Sequence, residues 1–262
     1  MEFHKTIEME DRMEFTYRAY KNMISLLKEH GYTFCNYLNY GEYDKSVIIR
    51  HDVDRDPEKA LAFSEMEREA GISTTYSVLL TSNFYNMFSK RNREIVRKIC
   101  ENGHDVGLHF DETQYCHTEK DWWKETIDNE IAILEQCTGR KVTSVAMHRV
   151  SKEALDEDWK IQNGRVINTY GKEFMQNHKY VSDSRRNWKE DVMELIRKEQ
   201  YNRLHMLVHP FWYSENEKSA KEVLRSFCRE QVCRCYDELN RDTRDLSELL
   251  ERSELFTQGD EE

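Results

Sequence analysis

The feature that most constrains the fold is an alternation of short β-branched stretches with amphipathic stretches, repeated about seven times in 262 residues. Strands are predicted at 46–54, 72–80, 105–110, 142–149, 165–170, 179–183 and 203–209, and helices at 11–31, 57–70, 91–102, 119–137, 151–161 and 188–198. Such an alternation is typical of α/β proteins with parallel strands. Because no glycine-rich phosphate loop accompanies it, the pattern favours a distorted (β/α) barrel of about seven parallel strands over a nucleotide-binding sheet.

The length and the C-terminal composition predict the domain organisation. A chain of 31.7 kDa can bury one substantial core, and no linker-like composition interrupts it. We therefore expect residues 1–262 to form a single barrel domain that ends in a charged, helical segment at 214–262.

Composition excludes several classes of partner. The formal net charge of −11 disfavours nucleic acid or an anionic membrane as the main partner. No apolar run approaches the roughly 18 residues of a membrane span, and the first ten residues lack the pattern of a signal peptide. Seven scattered cysteines without a repeated metal-binding pair indicate reduced thiols. The expected location is the cytoplasm.

The stretch Ser46-Val-Ile-Ile-Arg-His-Asp-Val-Asp-Arg-Asp-Pro57 begins as a strand and ends in acids that a strand has no packing reason to carry. Because side chains alternate along a strand, Arg50, Asp52 and Asp54 share one face. Two carboxylates this close call for a cation, a metal ion or a shared proton. The plainer alternative is a solvated strand end whose acids cap the next helix, a role that Asp56 fits.

Chemically active side chains recur where the predicted strands end. They are Asp52, Asp54, His109, His148, Asp183 and His209. In parallel barrels the carboxyl ends of the strands carry the chemistry, so these side chains are expected to meet at one mouth. A carboxylate with several imidazoles is a ligand set for zinc. Any one of these histidines alone is also compatible with an ordinary packing role.

In their order and spacing these motifs resemble the NodB-homology polysaccharide deacetylases, carbohydrate esterase family 4, especially a divergent branch with an Arg-His-Asp-Val-Asp signature. The resemblance spans about 15–213. It is carried by Arg50-His-Asp-Val-Asp54, Gly103-His-Asp-Val-Gly-Leu-His109, Met147-His-Arg149, Ser182-Asp-Ser184 and Leu207-Val-His-Pro-Phe-Trp212. It implies a distorted barrel that holds one divalent metal, commonly zinc, through one aspartate and histidines.

The resemblance also implies individual roles for the acids and the metal ligands. Asp52 is the general base and Asp54 a ligand, although one residue separates the two acids here and the exchanged assignment stays open. His109 matches the first ligand histidine, whereas Thr113 stands where the family has the second. The third ligand is therefore assigned to His148, with His117 and Asp111 as the alternatives.

Further roles follow from the remaining motifs. Arg149 corresponds to the arginine that steadies the catalytic aspartate, with Arg50 as the alternative. His209 matches the histidine that protonates the leaving amine, and Asp183 is expected to orient it. The predicted substrate contacts are Arg50, Phe84, Tyr85 and Trp212. The aromatic side chains among them suit sugar faces and suit the packing of a lid equally well.

The sequence thus predicts a metal-dependent hydrolase of non-peptide carbon–nitrogen bonds. Its expected substrate is an N-acetylated sugar or glycolipid intermediate of surface-polysaccharide synthesis, from which it removes the acetyl group. Two alternatives stay open. One is hydrolysis of a non-sugar linear amide or cyclic ureide on the same scaffold. The other is a catalytically inactive carbohydrate-binding homologue, which the threonine at position 113 favours.

Overall fold

A curved sheet of parallel strands forms the centre of the computed structural model, which describes residues 13–116, 121–152 and 158–256. Its strands are β1 (Thr33–Cys35), β2 (Ser46–Val53), β3 (Thr75–Leu79), β4 (Asp105–Phe110), β5 (Ser144–Met147), β6 (Ile167–Asn168), β7 (Lys179–Ser182) and β8 (Arg203–Val208). Seven of them lie in the order β6-β5-β4-β3-β2-β8-β7, and β1 pairs with β2. The predicted α/β class with about seven parallel strands in a distorted barrel is confirmed.

Helices connect most of these strands. They are α1 (Tyr17–Glu29), α2 (Pro57–Glu69), α3 (Lys90–Glu101), α4 (Trp122–Thr138), α5 (Lys172–Gln176) and α6 (Val192–Arg197). Four of the five helices predicted between strands are found within a few residues of their expected bounds. The fifth, at 151–161, has its centre at 153–157, outside the described residues. Neither the three-residue strand β1 nor the short helix α5 was predicted.

The chain leaves the acidic end of β2 through a well-defined helix start. Asp56 caps α2, since its carboxylate accepts a hydrogen bond from the backbone N–H of Glu58 at 3.1 Å. Pro57 occupies the first helical position, where its missing N–H and fixed φ cost nothing. This confirms the helix cap predicted for Asp56, a role that Asp52 and Asp54 do not share.

Strand β2 lies at the centre of the sheet and is hydrogen-bonded on both sides. On one side, Ser46–His51 pair with β8. On the other side, the first half pairs with β1 and the second half with β3. All eight residues of β2 are buried. Two apolar clusters pack against the sheet, one with α1, α2 and α6 and one with α4, and α3 contributes to both.

The chain divides into two compact units, Met1–Glu215 and Asn216–Glu262. The first contains the whole sheet. The second contains helix α7 (Ala220–Asp242), which begins with a capping box at Ser219, and the short helix α8 (Leu246–Leu249). That residues 1–262 act as one domain remains a prediction. Within the described ranges, none of the helices combines the length and apolar composition that crossing a membrane requires.

Candidate active site

Asp52 is held by a buried arginine. The Arg50 side chain donates from Nε to Asp52 Oδ1 at 2.9 Å and from Nη2 to Asp52 Oδ2 at 3.2 Å. The same guanidinium donates to Thr169 Oγ1 at 2.7 Å and to the Tyr170 hydroxyl at 3.2 Å. Burial raises the pKa of Asp52, but the charges of Arg50, His109 and His209 together outweigh this effect and lower it. Asp52 is therefore an ionised acceptor with a fixed orientation.

The surroundings of the two candidate arginines differ. Arg50 is fully buried with its donors engaged by protein groups, so its position does not fit the predicted substrate contact. Arg149 is exposed and donates to Thr113 Oγ1 at 3.3 Å. The physical reason is strand order, since β5 lies three positions from β2, whereas Arg50 is on the same strand face as Asp52. Of the two candidates for steadying Asp52, Arg50 is thus the one that the geometry fits.

Asp54, His109 and His148 converge just above the strand ends. Asp54 Oδ1 lies 3.2 Å from His109 Nε2 and 3.4 Å from His148 Nδ1. The two imidazole nitrogens are 3.1 Å apart. His109 Nδ1 lies 3.1 Å from the carbonyl oxygen of Ala146, a contact in which Nδ1–H donates and Nε2 keeps its lone pair. The backbone N–H of His148 donates to the Phe110 carbonyl at 2.8 Å and fixes this residue beyond β5.

This donor set fits a divalent cation. Asp54 Oδ1 is buried and has no hydrogen-bond partner among the described residues. The three candidate ligand atoms all lie within 4.8 Å of one another. Zinc bonds of about 2.0–2.2 Å in tetrahedral geometry place neighbouring ligand atoms about 3.4 Å apart, close to the separations seen here. One carboxylate and two imidazoles would leave a fourth position open.

Of the two alternative third ligands, Asp111 is not part of this cluster. Asp111 caps the turn at Glu112–Gln114, where its Oδ1 accepts from the Thr113 backbone at 3.1 Å and from Thr113 Oγ1 at 2.7 Å. His117 lies outside the described residues. His148 comes from a different strand end and supplies a second imidazole where position 113 offers none.

His209 and Asp183 form a second pair across the mouth. His209 Nδ1 lies 2.5 Å from Asp183 Oδ1, and the His209 backbone N–H is within 3.1 Å of both carboxylate oxygens. Asp183 is fully buried. Burial lowers the pKa of His209, but the Asp183 carboxylate outweighs it, and the result is a pKa of about 9. The imidazole is thus protonated at neutral pH, and Asp183 occupies the orienting position predicted for it.

A cavity of about 420 Å³ brings these groups together. Asp52, Asp54, His109, His148 and His209 all contribute to its walls. The remaining wall residues are Arg55, Tyr170, Ser184, Arg185, Leu207 and Trp212. A smaller cavity of about 80 Å³ adjoins it, since the two share the walls formed by Asp54, Arg55 and His148.

Of the three aromatic residues predicted to contact the substrate, two line a cavity and one has a structural role. Trp212 lines the larger cavity, and Phe84, 48 % exposed, lines the smaller one. Tyr85 lines neither. Its hydroxyl donates to the Val53 carbonyl at 2.6 Å and accepts from the Leu79 backbone N–H at 2.9 Å, which ties the ends of β2 and β3 together. For Tyr85 the packing interpretation therefore fits better than the predicted substrate contact.

Several residues in or next to the cavity walls were not found from the sequence. Thr169 and Tyr170 hold Arg50 from beyond β6, and no pattern in the sequence connects them with β2. Arg55 follows Asp54 directly and pairs with its Oδ2 at 3.4 Å, so its position in the motif was an available signal. Arg185 sits in a turn whose backbone conformation the sequence does not reveal.

No family model and no curated protein matches the chain. The solved structures that are similar to it include a CE4 family pseudoenzyme from Bacillus anthracis, at 16 % identity and a TM-score of 0.44, covering 72 % of this chain and 60 % of that one. A chitin deacetylase from the fungal pathogen Colletotrichum lindemuthianum has 15 % identity and a TM-score of 0.41, covering 71 % of this chain and 81 % of that one.

The peptidoglycan deacetylase PdaC from Bacillus subtilis is also similar, at 16 % identity and a TM-score of 0.42, covering 77 % of this chain and 98 % of that one. This chain spans about three fifths of the length of the pseudoenzyme. The family to which these structures belong, the CE4 polysaccharide deacetylases, is the one that the sequence motifs resemble. At this level of similarity, the chemistry has to be inferred from the chain's own side chains.

Proposed function

We propose that this protein is a metal-dependent deacetylase that hydrolyses the N-acetyl group of an amino sugar. The observation that carries the proposal is one cavity with three kinds of chemistry. It combines a cation-ligand cluster (Asp54, His109, His148), a carboxylate held by arginine (Asp52) and a protonated imidazole (His209). Amide hydrolysis needs these three functions: an electrophile for the carbonyl, a base for water and an acid for the leaving amine.

The cluster of Asp54, His109 and His148 is proposed to hold one divalent metal ion, with zinc favoured by its carboxylate and imidazole ligands. When bound, the ion supplies Lewis acidity to the amide carbonyl and lowers the pKa of water. The buried, unpartnered Asp54 Oδ1 supports this assignment, because an isolated buried acceptor is costly without a cation or donor. The exchanged assignment, with Asp52 as ligand, is disfavoured because Asp54, and not Asp52, lies close to both imidazoles.

Asp52 is proposed as the general base. Its carboxylate lies in the cavity wall, 3.6 Å from His109 Nε2 and therefore beside the proposed ligand cluster. Arg50 keeps it ionised at neutral pH and fixes both oxygens, while each oxygen retains a free lone pair. A water in the cavity can give its proton to Asp52 as the water oxygen attacks the amide carbon.

His209 is proposed as the general acid for the leaving nitrogen. Its Nδ1–H is held by Asp183, which turns Nε2 away from the buried carboxylate. With a pKa of about 9, the imidazolium carries a proton on Nε2 at neutral pH and can donate it to the departing amine. The C–N bond then breaks to give acetic acid, which ionises to acetate, and a neutral amine. Asp52 afterwards returns its proton to solvent, and His209 takes one up.

The test is metal content measured beside acetate release. Purified wild-type protein loaded with zinc should hold one ion per chain and release acetate from N-acetylglucosamine derivatives. Asp54→Ala and His148→Ala should lose both properties, whereas Asp128→Ala, which removes an exposed acid on α4, should keep both. Equal metal in wild type and His148→Ala would reject His148 as a ligand.

The same assay separates the two alternatives. Release of acetate or formate from small amides, or opening of cyclic ureides, without action on any N-acetyl sugar would favour the non-sugar hydrolase. Sugar binding without stoichiometric metal or turnover would favour the inactive carbohydrate-binding homologue. We further propose that the protein acts in the cytoplasm on a sugar or glycolipid intermediate, a location that its seven free cysteines support.

A further inference from the structure

Three guanidinium groups surround the cavities, and each comes from a different loop at the carboxyl end of the sheet. Arg55 follows β2, Arg149 lies beyond β5, and Arg185 lies beyond β7. Arg55 and Arg185 line the larger cavity, and Arg55 and Arg149 line the smaller one. This concentration contrasts with the chain as a whole, which has 50 acidic against 39 basic residues.

Three carboxylates lie in the walls of the two cavities, and Asp111 among them accepts hydrogen bonds from Thr113. Asp52 pairs with the buried Arg50, and Asp54 belongs to the proposed ligand cluster, with its Oδ2 3.4 Å from Arg55. No described acid forms an ion pair with Arg185, whose side chain is exposed. Arg149 contacts a hydroxyl, Thr113 Oγ1, rather than an acid. At the rim, Arg149 and Arg185 therefore carry positive charges that no described acid neutralises in an ion pair, whereas Arg55 is paired with Asp54.

The turn that carries Arg185 is strained. Arg185 and Arg186 both have positive φ, 59° and 55°, which is unfavourable for residues with a side chain. The surrounding contacts maintain the turn. The Asn187 backbone N–H donates to the Asp183 carbonyl at 3.1 Å, and the Arg186 guanidinium lies 4.7 Å from the centre of the Phe15 ring. Strained residues persist where neighbouring structure holds them, and they cluster at ligand-binding sites.

We propose that the substrate is a phosphorylated N-acetyl sugar whose phosphate is bound by Arg185 and Arg55. This inference rests on the proposed deacetylase function and names its substrate class. Guanidinium groups present several donors in a plane and match the oxygens of a phosphate better than lysine does. A neutral sugar gives such groups nothing to neutralise. Arg55 and Arg185 line the same cavity as Asp52 and His209, so a sugar attached to a phosphate bound here would lie beside the proposed base and acid.

The experiment compares N-acetylglucosamine 1-phosphate with the uncharged methyl glycoside of N-acetylglucosamine. Acetate release gives kcat/KM for each, and isothermal titration gives their binding, a readout independent of turnover. Wild type should prefer the phosphorylated sugar by about tenfold or more in both measurements. Arg185→Gln should reduce that preference by at least about fivefold, and Arg185→Lys should restore part of it. Arg197→Gln, an exposed arginine at the end of α6, should leave the preference unchanged.

Two further substrates identify the source of the phosphate. A uridine diphosphate-linked N-acetylglucosamine represents a soluble activated sugar, and a farnesyl diphosphate-linked one represents a lipid-linked intermediate. Preference for either over the methyl glycoside supports the proposal, and the larger preference identifies the source. Raising the salt concentration should weaken the preference in wild type more than in Arg185→Gln.

The outcomes separate this inference from the proposed function. Equal turnover of phosphorylated and neutral sugars, unchanged by Arg185→Gln, would overturn the phosphate inference and leave the deacetylase proposal standing. Tighter binding of the phosphorylated sugar that depends on Arg185, without acetate release from any substrate, would support the phosphate site and reject the deacetylase.

Discussion

Two carboxylates with buried oxygens, Glu67 and Asp54, stand beside histidines on opposite faces of the sheet, and they are satisfied in different ways. Glu67 of α2 accepts hydrogen bonds from Tyr20, His51, Thr74 and Tyr76 at 2.5–2.9 Å. Three of these four donors are hydroxyl groups, and each Glu67 oxygen accepts two hydrogen bonds from the protein. Asp54 instead faces two imidazole nitrogens, and its Oδ1 has no hydrogen-bond partner among the described residues.

Both regions combine a carboxylate with imidazoles. They differ in the number of hydroxyl groups that donate hydrogen bonds to the carboxylate. Around Glu67 the hydroxyls complete a network without any added group, which is how a buried polar network stabilises a fold. Around Asp54 three electron-pair donors point at one another, which is stable only with a proton or a cation between them. The first region is therefore interpreted as structural and the second as a binding site. Each variant below removes a group from one of these regions or from its surroundings.

The largest effect is expected from Asp54→Ala. Losing the carboxylate leaves only two imidazole ligands, too few to retain zinc during gel filtration. Activity should fall by about 10⁴-fold or more, since both metal and activation of water are lost. Inductively coupled plasma analysis and acetate release measure the two consequences. Full metal occupancy in this variant would contradict the assignment of Asp54.

Asp52→Asn should separate metal binding from proton transfer. The amide cannot accept the proton of water, so turnover should fall by about 10³-fold, within the range for loss of a general base. The metal content should stay at one per chain, because Asp52 is outside the proposed ligand set. Loss of metal together with activity would instead support the exchanged assignment of the two acids.

Glu67→Gln should act on the fold. Removing the charge from a buried carboxylate that serves His51 and two tyrosine hydroxyls should lower the free energy of unfolding by about 3 kcal/mol. Urea denaturation measures this change, and metal content per folded chain should not move. A matched control is Glu199→Gln, which removes an exposed acid paired with His30 and Lys45 and should leave the urea midpoint unchanged. An unaltered midpoint in Glu67→Gln would reject its structural role.

The Glu67 carboxylate should also make the free energy of unfolding depend on pH in the acid range. Burial raises the pKa of Glu67, but the interaction with His51 outweighs it and brings the pKa from 4.5 to about 2. A lowered pKa in the folded state means that the stabilisation is complete above pH 4.5 and is lost as the pH falls towards about 2. Stability measured across this window should depend less steeply on pH in Glu67→Gln than in wild type. Identical slopes would contradict the predicted linkage.

The smallest effect is expected from Asp183→Asn. Against the opposing effect of burial, Asp183 raises the pKa of His209 to about 9, so the general acid should be lost as the pH rises through that value. With the charge removed, burial dominates, and the alkaline limb of kcat/KM should move down by about one pH unit or more. A pH–rate profile from pH 6 to 10 measures the shift. An unmoved alkaline limb would mean that His209 does not govern it.

The part of the site that depends on local periodicity was predictable from the sequence. Side chains alternate along β2, and this alternation alone places Arg50, Asp52 and Asp54 on one face. His109, His148 and His209 follow the pattern by which parallel strands end at one mouth. The presence and order of the strands and of most helices follow from the same periodicity, whereas strand lengths do not: the strand predicted at 165–170 is only Ile167–Asn168.

The rest depended on tertiary geometry that the sequence does not encode locally. Choosing Arg50 over Arg149 as the partner of Asp52 requires the strand order, which places β5 far from β2. Glu67 lies on a charged helix and looks like a surface acid until Tyr20 and Tyr76 are seen to reach it. The positive φ of Arg185 is unfavourable for arginine, so the backbone preferences of the sequence would not predict this turn. Functional sites are where such departures are expected.

The double-sided pairing of β2 has a consequence for motion. Amide protons within a strand that is bonded along both edges exchange with solvent only through the rarest openings of a protein. Asp52 lies one residue beyond the stretch of β2 that pairs with β8, but its carboxylate is held by Arg50, which is paired on both sides, so the base is expected to move little. His148, Asp183 and His209 stand just beyond the ends of their strands, where the backbone opens more readily. The side of the cavity that carries Asp52 is thus expected to be rigid. The side that carries His148, Asp183 and His209 is expected to adjust as a substrate enters.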